Sequence, residues 1–196
     1  MIGNGFGWGQ TSHLLAFLFH ILPDLEPKNV YCRMTHSQAT GADLTHSATI
    51  ECFDLKSENI VIISMSGTAL LPGHQYSDPP VAKLVHIDVY GNDGSLHYSG
   101  NDLDHSSGCL EYRSADGSIE ILSDRFEFES YDNENRGPES IQMFVELCCG
   151  EISGIDPPIA CANAKDGLRS VQVLDAMYKS HASKRAEPIV STTALC

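Results

Sequence analysis

Apolar and polar positions follow two different periods along this chain. Positions 14–22 are almost all apolar up to Pro23, which predicts a helix buried on most sides, with Thr11 or Ser12 as its N-cap. After this helix, short stretches alternate with period two, as half-buried strands do, and Gly, Asn and Asp residues separate them. The predicted strands are 30–36, 48–53, 59–65, 84–90, 95–98, 109–113, 118–122 and 126–129.

The middle of the chain contains one strand that does not alternate and one long loop. Residues 59–65 are apolar on both faces, which predicts a central strand covered from both sides. Residues 67–81 are rich in proline and glycine, which predicts a loop. A loop of this length is uncommon inside a compact domain and often has a function, so it is either a binding loop or a plain surface excursion.

The helical period returns near the C-terminus. Pro138 suits the first position of a helix that Gly150 ends, and Asp166 caps a last helix. The segment 187–196 is expected to be a disordered tail. A helix, then antiparallel strands, then two helices predict an α+β fold over 1–186: one open, mostly antiparallel sheet with helices on one face. The predicted buried side of the last helix consists of Leu168, Val171, Leu174 and Tyr178.

Charge and cysteine usage narrow the classes of function. The 196 residues include 12 basic and 26 acidic side chains, a formal charge of −14, which disfavours binding to nucleic acid or anionic membranes. The chain lacks both an apolar stretch of about 20 residues and the basic region of a signal peptide, so we expect a cytoplasmic protein. Seven cysteines without a CxxC pair favour a reducing compartment. Those expected to be buried thiols are Cys32, Cys52, Cys109 and Cys161.

The clearest candidate for chemistry is His13, which follows glycines at positions 3, 5, 7 and 9. Glycine lets the backbone approach a neighbour or a ligand closely. The positive end of a helix disfavours an imidazolium, so a histidine in the first turn is expected to be neutral near pH 7 and able to accept a proton. The alternative is a buried histidine hydrogen-bonded to backbone. The sequence contains no zinc-binding or hydrolase motif, so no metal site and no hydrolase chemistry are predicted.

Residues 3–13, GNGFGWGQTSH, and the apolar helix after them resemble the C-terminal domain of the glucose-fructose oxidoreductase / inositol dehydrogenase / MocA (Gfo/Idh/MocA) family. In that family a buried helix carries Asp-x-Gly-x-His-x-x-Asp, and its histidine assists hydride transfer between a sugar-like alcohol and a nicotinamide. His13 matches this histidine. Residues 166–176 resemble the closing helix of the same domain, so the resemblance spans nearly the whole chain. The other three motif positions are occupied by Gly9, Thr11 and Ala16.

The resemblance implies an NAD(P)-dependent oxidoreductase that acts on a sugar or polyol hydroxyl, with His13 as its catalytic residue. Gln10 would hold a substrate hydroxyl, and His74, Gln75 and Tyr76 would supply specificity. Family members bind NAD or NADP in a Rossmann domain that carries a glycine-rich loop and a Glu-Lys-Pro motif. Neither motif occurs in this sequence, so the chain is expected to be the substrate-binding half of such an enzyme, inactive alone.

A second hypothesis is a non-catalytic binding or dimerisation module that kept the fold, because Gly9 and Ala16 replace carboxylates of the motif. Under either hypothesis we expect a homodimer. Helices can cover only one face of the predicted sheet, and a twofold contact between the open faces of two copies would bury the other. The bulky residues on the predicted sheet include Phe53, Val85, Val89 and Tyr90.

Overall fold

The computed structural model describes residues 5–73, 77–101, 103–104, 106–126, 145–146, 148–150 and 162–190. The chain divides into two compact units. The first consists of Met1–Leu70 and Pro157–Cys196, and the second of Leu71–Asp156. Each unit contains a four-stranded antiparallel sheet, so the strands that were expected to form one sheet form two.

The elements of the first unit are α1 (Ser12–Ile21), β1 (Leu25–His36), β2 (Asp43–Asp54), β3 (Asn59–Thr68), α2 (Ala164–Ser183) and β8 (Glu187–Pro188). Its two helices pack against a sheet of strand order β3-β2-β1-β8. Alternate residues of β1 and β2 point into the core, because side chains of a strand alternate between its two faces. Leu15 and Phe19 of α1 and Val173, Leu174 and Met177 of α2 complete that core and are fully buried. The α+β class and the helices on one sheet face are thereby confirmed.

The strand at 59–65 is an edge strand, not a central one. β3 pairs with β2 alone among the described strands. Val61 and Ile63 pack against the core, whereas Ile60 and Ile62 are 65% and 57% exposed on the other face. A run that is apolar on both faces therefore covers the core with one face only, and the other face of the sheet is partly apolar.

Three predictions about the C-terminal segment need correction. The N-cap of α2 is Asn163, whose side chain accepts from the backbone N–H of Asp166, while the Asp166 carboxylate accepts from the N–H of Asn163. Leu168 and Val171 are exposed, because the buried side of α2 runs through Ser170, Val173 and Met177 instead. The predicted tail is ordered at its start: Glu187–Pro188 pairs with β1, and the next residue is buried.

The second unit is an antiparallel meander of four strands that pair in chain order. Its tight turns place Gly94 at φ 152° and Gly117 at φ 87°, a backbone region that favours glycine. The predicted helix after Pro138 lies largely outside the described residues, and Val145, Glu146, Cys148 and Cys149 are helical. The strands are β4 (Leu84–Tyr90), β5 (Gly94–Asn101), β6 (Gly108–Ser114) and β7 (Ile119–Phe126).

Candidate active site at the start of α1

A π-helical turn, Gly7–Thr11, leads directly into α1. The helical backbone therefore begins before Thr11 and Ser12, and neither side chain acts as the predicted N-cap. The first backbone N–H groups of a helix have no acceptor within the helix. Here the Gly7 N–H donates to the carboxylate of Asp43 at 2.6 Å, and Asp43 is 36 positions away in the chain. His13 consequently lies further into the helix than the sequence predicted.

The glycines before His13 serve close packing. A Cβ at Gly5 would collide with the backbone of Asp43, and one at Gly7 would lie 3.1 Å from the Tyr178 hydroxyl. A Cβ at Gly9 would meet no atom within 4 Å. The Asp43 carboxylate occupies the N–H donor that a phosphate would need at this helix start, and its charge would repel a phosphate. The glycine turn therefore does not fit a dinucleotide.

Asp43 is a buried carboxylate, 2% exposed, at the centre of this packing. Besides the Gly7 N–H, it accepts a hydrogen bond of 2.5 Å from the Tyr178 hydroxyl of α2. Burial and the bond to this carboxylate raise the pKa of Tyr178, so its hydroxyl stays protonated and donates. The ring of Tyr178 stacks on Trp8 at a centroid distance of 6.3 Å. These contacts fix the start of α1 against α2.

His46 of β2 lies beneath the same turn. Its Nε2 is 3.3 Å from the Thr11 hydroxyl, and the Phe6 ring packs on it at 5.7 Å. The Nδ1 atom is buried and has no hydrogen-bond partner among the described residues. Burial lowers the pKa of His46 more strongly than the nearby Asp43 charge raises it. The buried, neutral ring of His46 thus packs against the turn.

His13, Gln10 and Gly9 are all exposed at the start of α1. The alternative of a buried histidine bonded to backbone is thereby excluded. The exposed face continues along α1 at helical spacing through Phe17 and Ile21, which are 40% and 41% exposed. The His13 imidazole thus lies exposed on the second residue of α1, after the π-helical turn.

The structure brings together only part of the predicted site. Gln10 lies one helical turn before His13, on the same exposed side. The other predicted substrate-binding residues, His74, Gln75 and Tyr76, lie outside the described residues. The described parts of 69–83 contain neither helix nor strand, as the loop prediction expected.

The sequence did not indicate Asp43 or Tyr178 as part of the site. They are 135 positions apart, and both belong to stretches whose local pattern predicts only a loop end and a helix face. The same end of the first unit also holds His36 and His181, whose rings are 4.9 Å apart. The Nδ1 of His181 accepts the Met34 N–H, and burial together with His36 and Arg33 lowers the pKa of His181.

The sequence matches no protein-family profile and no curated protein. Among the described residues, no helix is both long and apolar enough to span a membrane.

Solved structures with the same fold cover nearly all of the chain. An oxidoreductase from Agrobacterium radiobacter in complex with NAD+, L-tartaric acid and magnesium is 20% identical, with a TM-score of 0.55 over 95% of this chain and 50% of its own. The WlbA dehydrogenase from Bordetella pertussis, in complex with NADH and UDP-GlcNAcA, is 17% identical, with a TM-score of 0.57 over 96% and 46%. The transcriptional regulator Gal80p from Kluyveromyces lactis is 12% identical, with a TM-score of 0.62 over 94% and 46%.

These neighbours confirm the resemblance to the C-terminal domain at the level of fold. They are NAD-binding oxidoreductases of the Gfo/Idh/MocA type, together with Gal80p. The chain spans about half the length of each protein. At this level of identity the likeness establishes the fold, because one fold can carry different functions.

Proposed function

We propose that this chain is the substrate-binding half of an NAD(P)-dependent oxidoreductase that acts on a sugar or polyol hydroxyl. The observation that carries the proposal is that His13 and Gln10 are both exposed and lie one helical turn apart, where the π-helical turn continues into α1. The oxidoreductases that share the fold bind NAD+ or NADH, and the glycine turn of this chain does not fit a dinucleotide. The nicotinamide would therefore be bound by another domain or another chain.

In this proposal His13 handles the proton of the reaction. The imidazole would accept the hydroxyl proton of the substrate, while the hydride on the same carbon would pass to a nicotinamide bound outside this chain, so that the carbon–oxygen double bond forms. The Gln10 amide can donate to one substrate oxygen and accept from a second hydroxyl, which orients the alcohol toward the imidazole. Asp43 and Tyr178 do not touch the substrate, and they keep the helix start in place.

Binding of polyols to the purified chain tests this proposal. Saturation-transfer NMR with a panel of sugars, sugar acids and polyols should detect a ligand whose binding is reduced in His13→Ala and Gln10→Ala. His86→Ala is the matched control, because it removes another exposed histidine from the second unit. NADH or NADPH at millimolar concentration should not raise the melting temperature. A marked rise would contradict the placement of the nucleotide site outside this chain.

The second candidate is a non-catalytic binding module. Gly9 and Ala16 stand where the resembled family has carboxylates, and Gal80p, a transcriptional regulator, has the same fold. The coding sequence upstream of Met1 distinguishes the candidates. A strand–GxGxxG–helix pattern followed by Glu-Lys-Pro would support the enzyme, and untranslated sequence would support the module.

We further propose that the chain forms a homodimer through the outer face of the first sheet. Tyr31, Ile60 and Ile62 are 43%, 65% and 57% exposed there, on the side opposite to the helices. A twofold contact would bury this patch against its own copy, because a self-complementary surface closes the assembly. The formal charge of −14 opposes association, so salt should tighten the dimer.

Sedimentation at micromolar concentration measures this association. The wild type should exceed the mass of a 21.3 kDa monomer and shift further toward dimer as salt rises. Ile62→Lys should be monomeric, while Leu84→Lys, at a 75% exposed position of the second unit, should behave as the wild type. A monomer at all salt concentrations would end the proposal.

A further inference from the structure

Two histidines and an aspartate converge on one face of the second unit. His86 and Asp88 are two residues apart on β4, so their side chains lie on the same face. β4 and β5 pair with Asp88 directly opposite His97, which places the third side chain beside them. The three residues supply one nitrogen or oxygen ligand atom each, and these atoms lie within 4.8 Å of one another.

Asp88 lies between the two rings. Its carboxylate is 3.0 Å from the Nε2 of His86 and 2.6 Å from the Nδ1 of His97. A tetrahedral zinc ion with bonds of about 2.0–2.1 Å holds its ligand atoms about 3.4 Å apart. Small side-chain rotations would therefore exchange the two hydrogen bonds for bonds to an ion, without a change in the strand pairing.

The surroundings of His97 can support the tautomer that a metal needs, once an ion replaces the hydrogen bond to Asp88. The Ser95 hydroxyl lies 2.8 Å from the Nε2 of His97. In the metal-free chain Nδ1 donates to the carboxylate of Asp88, and the Ser95 hydroxyl donates to Nε2. When an ion takes the place of the Nδ1 proton, Nε2 carries the proton and the hydroxyl can rotate to accept it, which leaves the Nδ1 lone pair to the metal. The Tyr90 ring meets His97 edge-on at 6.1 Å, and its hydroxyl lies 3.4 Å from Asp88. Ser95 and Tyr90 thus restrict the orientation of two of the three ligands.

We infer that His86, Asp88 and His97 form a binding site for a divalent transition-metal ion, best suited to Zn2+. Two imidazoles and one carboxylate are a ligand set that zinc prefers, and a fourth position stays open to water or to a small anion. The side chains of His97 and Asp88 are 16% and 26% exposed, and that of His86 is 62% exposed, so the ion would enter from solvent. Bound there, it would fasten the edge strand β4 to β5.

Calorimetric titration with Zn2+ and the absorption spectrum with Co2+ test the site on the whole chain. We expect one ion per chain, a tetrahedral Co2+ spectrum, and a melting temperature that rises with Zn2+ and returns with chelator. His86→Ala removes an exposed ligand and should leave the fold intact, while weakening Zn2+ binding at least tenfold. Ser95→Ala should weaken it about tenfold, because it releases the ring of a ligand. His13→Ala, in the first unit, is the matched control and should bind as the wild type.

Three results would overturn the inference. The first is a wild type that binds no Zn2+ or Co2+ at millimolar concentration. The second is binding that persists unchanged in His86→Ala and in Asp88→Asn. The third is binding that is lost in His36→Ala but kept in His86→Ala, which would place the ion at the pair of His36 and His181 in the first unit. Circular dichroism and the melting temperature of each metal-free variant show whether a loss of binding reflects unfolding.

Discussion

The hydroxyl of Tyr178 donates a 2.5 Å hydrogen bond to Asp43, which joins the C-terminal half of α2 to the first residue of β2. The same carboxylate accepts the Gly7 N–H, so it holds three elements of the first unit together. Asp43 thereby anchors the π-helical turn that leads into α1, the helix that carries His13. Its neighbour Trp8 is the only tryptophan of the chain, so fluorescence reports directly on this corner.

Replacement of Tyr178 by Phe should destabilise the first unit. The buried carboxylate of Asp43 loses one of its donors, which typically costs about 1–3 kcal/mol of unfolding free energy. Urea titration followed by Trp8 fluorescence measures the change. Tyr31→Phe is the control, because the side chain of Tyr31 is exposed and its hydroxyl lies away from the core. Equal stability of Tyr178→Phe and the wild type would show that the bond contributes nothing.

The glycines before His13 should respond to alanine in opposite directions. Gly9→Ala should stabilise the first unit by about 0.5–1 kcal/mol, because the position is helical and the added methyl group meets no atom. Gly5→Ala should destabilise it by about 1–3 kcal/mol, because the methyl group collides with backbone of Asp43 that cannot move freely. Both changes are read from the same urea titration. A lower free energy of unfolding for Gly9→Ala than for the wild type would contradict the finding that a Cβ at Gly9 meets no atom within 4 Å.

Stability of the first unit should fall as the pH is lowered from about 7.5 to 5. The pKa of His46 is lowered in the folded chain, while an unfolded histidine titrates near about 6.5. Stabilisation by the neutral ring is therefore complete above about 6.5 and is lost as the pH falls toward the lower folded pKa. Urea midpoints across this range measure the slope. His46→Gln should reduce the slope without abolishing it, because the pKa of His181 is lowered as well. A pH-independent midpoint of the wild type would refute this.

Thiol reagents should distinguish two groups of cysteines. Cys32 and Cys52 are fully buried, and burial raises the pKa of each to about 12. Cys148 and Cys149 are exposed. Mass spectrometry after brief alkylation at pH 8 should therefore find label on Cys148 and Cys149, and on Cys32 and Cys52 only after denaturation. Rapid native labelling of Cys32 would show that the core opens locally.

The sequence predicted four buried thiols. The burial of Cys32 and Cys52 is confirmed, Cys109 is half-buried, and Cys161 lies outside the described residues.

Local patterns predicted most of the secondary structure correctly. The strand predicted at 84–90 coincides with β4, and those at 30–36 and 48–53 lie inside β1 and β2. The alternation of apolar and polar residues follows from one side of a strand facing the core, so it predicts the positions of strands well. It does not record how many partners a strand has. This is why the run at 59–65 was assigned to the centre of a sheet although β3 lies at an edge.

The candidate site could likewise be predicted only in part from the sequence. His13 could be selected from the sequence, because a histidine after a glycine-rich turn and before an apolar helix is a local pattern that also resembles a known family. The role of Gly5 and Gly7 could not be inferred, since it depends on Asp43 and Tyr178, which only the folded chain brings to them. The cluster of His86, Asp88 and His97 likewise required the register of β4 against β5.

Local patterns were thus sufficient to predict the class of fold, the position of most strands and the candidate histidine, His13. They were sufficient because secondary structure follows the period of apolar residues over short distances. The tertiary structure alone decided which strands lie at an edge, which glycines must remain glycine, and which polar side chains meet. Those properties depend on contacts between residues far apart in the chain, such as Gly7, Asp43 and Tyr178, and no local pattern encodes the partner of a contact.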